Sequence, residues 1–137
     1  MPNVRPLNEK KYGISKHAFN TAYSYCLQYN DWVDELKTRL NTLKSPQITG
    51  MPGSHSGKDA TQELAERRAE LTERMKKVED TVREAVGEDT ELYSYLLKYV
   101  TTEGATFRMM SQQGIPCERT MFYRIRRRFY FLMAQKI

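Results

Sequence analysis

Five arginines fall within ten residues near the carboxy end of this 137-residue chain: Arg119, Arg124, Arg126, Arg127 and Arg128. A guanidinium is a planar fork of donors that matches both the O6/N7 edge of guanine and the oxygens of a phosphate. The hydroxyls of Thr120 and Tyr123, interleaved with these arginines, form hydrogen bonds to the same kinds of acceptor. The chemistry on offer is recognition of a polyanion, with no bond made or broken. Elsewhere nothing pairs a nucleophile with a positioned base, since neither His17 nor His55 stands at a motif spacing from a Ser or Cys. Cys26 and Cys117 lie far apart and fit no ligand pattern, so no catalytic residue, metal or other cofactor is expected.

The charge count isolates the same stretch. Residues 118–137 hold six Lys/Arg against one acid, whereas residues 1–117 hold sixteen of each sign. The formal net charge of +5 therefore resides on one short segment. A charge concentrated in this way favours a polyanionic partner over general solubility.

These side chains need an element to position them. Phe122, Ile125, Phe129 and Leu132 recur at steps of three, four and three, which places them on one stripe of an α-helix. A recognition helix over 118–135 would thus turn its apolar stripe inward and present the arginines. Arg119, Thr120, Tyr123, Arg124 and Arg127 are expected on the leading face, reaching base edges. Arg126, Arg128 and Lys136, with Arg108 from the preceding segment, are expected to hold phosphates. That segment, Thr106 to Gln113, reads as a short helix, and Gly114-Ile115-Pro116 as a breaker carrying an aliphatic plug. A short helix, a glycine turn and an arginine-rich second helix is the helix-turn-helix pattern, whose second helix enters the major groove.

The remainder of the chain is read as support. Residues 1–14, with two prolines and Gly13, form an irregular arm. From Ser15 a helix is expected whose Phe19, Ala22, Cys26, Tyr29, Val33, Leu36, Leu40 and Leu43 follow alternating steps of three and four, the seam of a coiled-coil-like helix. Asn30-Asp31 offers a break, because both residues favour caps over interiors. Trp32 lies just off the seam and is read as a flank of the core. A linker over 45–58 is rich in Pro, Gly and Ser. A second long helix then runs to Gly87, with Leu64, Leu71, Met75, Val78, Val82 and Ala85 inward and alternating acids and bases outward. The expected architecture is all-α: a helical hairpin over 15–87, then a three-helix head over 88–137 in which Leu92, Tyr95, Leu96 and Tyr99 cover the helix-turn-helix. The narrow stripes also suggest a homodimer through the long helices. No window is long and apolar enough to span a membrane, and a cytoplasmic location is expected.

Tyr95-Leu96-Leu97, Gly114-Ile115-Pro116-Cys117, Met121 through Tyr130 and, more loosely, Gln28 to Trp32 carry a resemblance. The last fifty residues resemble the sigma-factor region that reads the −35 promoter element. The whole chain is similar to the RinA and ArpU type of phage and prophage transcriptional regulators of Gram-positive bacteria. In that pattern a Ser or Thr cap follows the turn aliphatic directly, whereas Pro116 and Cys117 intervene here and lengthen the turn. The resemblance implies an activator that binds promoter DNA of late phage genes in a bacterial host, with RNA polymerase as a further partner. The alternatives are a phage small terminase subunit or another packaging or architectural DNA-binding protein, and a membrane-surface helix built on Phe129 to Met133.

Overall fold

The computed structural model describes residues 13–44 and 60–137, and every regular element among them is helical. Helix α1 spans Lys16–Leu27, α2 Tyr29–Lys44 and α3 Ala60–Val86. A 3-10 turn at Thr90–Leu92 leads into α4, Tyr93–Thr101, followed by α5, Phe107–Gln112, and α6, Arg119–Lys136. The arm is described only from Gly13, and the linker expected over 45–58 lies outside the described residues, as do the side chains of Leu40 and Leu43.

Helix α1 starts where Ser15 accepts the Ala18 N–H at 3.0 Å, which satisfies one of the first-turn donors that have no partner within the helix. It ends at Gln28, two residues before the break expected at Asn30-Asp31. Asn30 is used differently: its side-chain amide donates to the Thr101 carbonyl at 3.2 Å and ties α2 to the end of α4. Beyond the bend Trp32 is buried, while the expected seam residue Val33 is only half-buried. The Trp32 ring meets Tyr25 edge-on at 5.1 Å, with the Arg74 guanidinium 5.9 Å from its centroid.

Helices α2 and α3 run antiparallel, since Tyr29 donates to Glu79 and, further along α2, Glu35 accepts from Arg67 at 2.7 Å. Leu71, Val78, Val82 and Ala85 of α3 are buried as their spacing requires, and Arg68, which interrupts that stripe, is exposed. Burying each of the larger aliphatics contributes roughly 1.5–3 kcal/mol before the entropy of ordering it is subtracted.

Helix α6 packs chiefly on α3 and α1 rather than on α4 and α5. Tyr130 of α6 meets Phe19 of α1 edge-on at 4.8 Å, and both are at most 1% exposed. Tyr99 of α4 reaches α6 through Phe122, again edge-on at 4.8 Å. The segments read from the sequence as hairpin and head thus share one core, which runs from Ile14 to Met133. No helix of the described residues is long and apolar enough to cross a membrane.

Candidate nucleic-acid interface

The turn between α5 and α6 is fixed by backbone chemistry. Thr106 caps α5 by accepting the Met109 N–H at 3.2 Å. At the other end Gly114 takes φ +91, a conformation costly for a residue with a Cβ. That geometry lets the Gly114 N–H reach the Ser111 carbonyl at 3.0 Å and the Ile115 N–H reach back to the Met110 carbonyl at 3.1 Å. The two bonds form the Schellman closure, which satisfies carbonyls left open at a helix end. The Tyr95 hydroxyl of α4 donates to the carbonyls of Gln113 and Gly114 at 3.4 and 3.3 Å and anchors the turn from outside. Pro116 and Cys117 then lead to Glu118, which adopts the extended N-cap conformation of α6. Ile115 and Cys117 are half-buried, so the expected aliphatic plug is a partial one.

Helix α6 begins with neither a side-chain hydrogen bond at its cap nor an acid in its first turn. Arg119 occupies that first turn, against the positive end of the helix dipole. Its guanidinium lies 5.6 Å from the centroid of the Phe107 ring. Phe107 itself packs against Phe122 at 5.4 Å and Tyr123 at 6.5 Å. One aromatic residue of α5 therefore holds three positions of the first two turns of α6.

The expected base-reading residues divide by exposure. Arg119, Thr120 and Arg124 are exposed, and Tyr123 and Arg127 are half-buried at the flanks. Arg128 lies one turn beyond Arg124 on the same face and is exposed, as is Arg108 on α5. Among the described residues no carboxylate forms an ion pair with Arg108, Arg119, Arg124 or Arg128. The face is thus an uncompensated cationic surface on a rigid helix whose reverse side is buried.

Two of the expected phosphate contacts are corrected. Arg126 is only 6% exposed and points inward, its guanidinium 5.5 Å from the Phe19 ring, 5.9 Å from Tyr99 and 5.2 Å from Tyr130. It is four residues after Phe122 and so falls on the inward stripe, where aromatic faces offer the cation a negative surface. A phosphate cannot reach it there. Lys136 forms an ion pair with Glu84 at 2.9 Å, which turns its ammonium toward α3. The inward stripe also shifts at its far end: Tyr130 and Met133 are buried, whereas the expected Leu132 is half-buried.

The cysteines are separate and protonated. Burial pushes the Cys26 thiol up to about 12. Cys117 is also raised, by burial and then by the nearby Asp89, so the start of α6 does not produce the lowered thiol that a helix amino end can give. Sequence reasoning missed Phe107 and Tyr95 as positioning groups, having counted both as ordinary apolar residues. Both act on residues more than ten positions further along the chain, so spacing within their own helices gave no signal.

No protein-family model, curated protein or solved structure matches this chain.

Proposed function

We propose that the protein is a sequence-specific double-stranded DNA-binding regulator of transcription that places α6 in the major groove. The observation that carries this reading is the exposed face of Arg119, Thr120, Arg124 and Arg128, which has no described carboxylate within ion-pair range, set on a helix held from behind by buried rings. Four exposed arginines, counting Arg108, would each neutralise a phosphate or bind a guanine edge. Arg119, Thr120 and Arg124 near the leading end of α6 read bases, with Tyr123 and Arg127 at the rim. Arg128 and Arg108 grip the backbone on either side. The uncapped N–H groups at the start of α6 favour a phosphate at that end.

The likeness to phage and prophage regulators in the segments around Gly114 and Met121 to Tyr130 supports placing the target in promoter DNA. It makes RNA polymerase the expected second partner. Selection of bound sequences from a random duplex pool tests the reading. A defined motif whose specificity relaxes at one position on Arg124→Ala is the expected result. Enrichment without any motif would move the protein toward packaging or architectural binding, and no enrichment would refute DNA recognition.

A further inference from the structure

Among the described residues three large apolar side chains are exposed, and one of them stands on the outward face of α6. Met109 belongs to α5 and Ile137 follows the end of α6, whereas Phe131, 38% exposed, lies within the helix. It comes seven residues after Arg124 and eleven after Thr120, so the three share one line along the helix surface. Arg127 and Arg128 precede it by four and three residues and flank that line. An aromatic ring thus continues the arginine row.

The core does not account for this ring. Phe122, Ile125, Arg126, Phe129, Tyr130 and Met133 are the buried positions of α6. Position 131 is two residues from both Phe129 and Met133 and so lies nearly opposite them on the helix. On one edge the ring meets the chain at Gly13, where an added Cβ would lie 3.8 Å from the Phe131 Cε2. That contact braces the ring and leaves it open to an outside partner.

The major groove offers one apolar group, the C5-methyl of thymine, and a Phe side chain is among those that meet it. Against a G·C pair the same ring would strip water from an amino donor or a carbonyl acceptor and return no hydrogen bond. Two helical turns separate Phe131 from Arg124, roughly 10 Å, or about three base pairs at about 3.4 Å each. We infer that Phe131 is a specificity-determining residue that packs on the methyl of a thymine about three base pairs from the guanine edge met by Arg124. The inference rests on the proposed placement of α6 in the major groove and extends its reading face by one side chain beyond the arginines.

The test measures binding of the full chain and of Phe131→Ala to a duplex selected by the parent, with each thymine replaced in turn by deoxyuridine, which lacks only the methyl. At one thymine, about three base pairs from the position whose preference relaxes in Arg124→Ala, the parent should lose roughly fourfold in affinity, the size of one buried methyl group. Phe131→Ala should bind the thymine and deoxyuridine duplexes alike, and Phe131→Leu should keep part of the difference. Because the ring is exposed, the unfolding midpoints of both variants should match that of the parent. A parent that selects a motif yet is indifferent to every deoxyuridine would overturn the thymine contact and leave the helix reading intact. A Phe131→Ala variant that still discriminates as the parent does would do the same. Failure of the parent to bind any duplex would overturn both.

Discussion

Helices α3 and α6 are both rich in charge, yet they use it in opposite ways. On α3 six cations are interleaved with seven acids, and three of the six form ion pairs: Arg67 meets Glu35 at 2.7 Å and Glu70 at 3.1 Å, Arg74 meets Glu70, and Arg83 meets Asp80 at 2.9 Å. On α6 one arginine is stored among rings, and Arg119, Arg124 and Arg128 face outward with no described acid in reach. The number of cations in a helix therefore says little about binding. What distinguishes a binding face is a set of charges that the fold leaves unmatched. A surface pair such as those on α3 is worth little to stability, so nature loses little by omitting carboxylates from α6.

The strongest way to break this contrast is to remove the support behind α6. Phe122 is 2% exposed and joins Tyr99, Phe107 and Tyr123. Phe122→Ala should cost about 3–5 kcal/mol in denaturant unfolding and take DNA binding with it. Next comes the stored cation. Arg126→Ala empties a site bounded by Phe19, Tyr99 and Tyr130 and should cost about 2 kcal/mol, whereas Arg124→Ala should leave the unfolding midpoint within error. In binding the order reverses. Arg124→Ala should lose about 1–3 kcal/mol on the preferred duplex, and Arg67→Ala should lose nothing.

Alkaline titration gives a smaller and more gradual effect. Cys26, Tyr99 and Tyr130 all have raised values, chiefly through burial, and all three are neutral when protonated. Their contribution to stability is fully present below the ordinary values and declines as pH rises, for Cys26 between its ordinary 9.0 and about 12. Thermal unfolding should therefore fall progressively above pH 9, and Cys26→Ala should flatten the first part of the decline. A midpoint that stays level to pH 11 would contradict the buried placement of these groups.

Much of the frame was legible in the sequence because apolar spacing determines which face of a helix turns inward. Phe19, Ala22 and Cys26 on α1 and Leu71, Val78, Val82 and Ala85 on α3 are buried where their periodicity placed them. The glycine turn was legible too, since only Gly114 in that stretch adopts φ +91 without strain. Arg126 was not. A pattern of apolar letters scores any arginine as outward, and the rings that receive this one come from Phe19 and Tyr99, more than a hundred and about thirty residues earlier in the chain. Lys136 was misread for the same reason, its partner Glu84 being distant in sequence. Trp32, read as a flank of the core, is buried in it. For Arg126 and Lys136 the residue that decides where the side chain turns lies far away in the sequence, where spacing along one helix gives no signal.

The most direct test of the central claim is a duplex titration, followed by fluorescence anisotropy over a salt series, of the parent and of Arg124→Glu/Arg128→Glu. Both positions are exposed, so circular dichroism and the unfolding midpoint should be unchanged. The parent should bind with an affinity that falls steeply with salt, and the variant should lose on the order of a hundredfold or more, with a slope shallower by about two contacts. Equal binding by parent and variant, at any salt, would show that the outward face of α6 is not the surface that meets DNA.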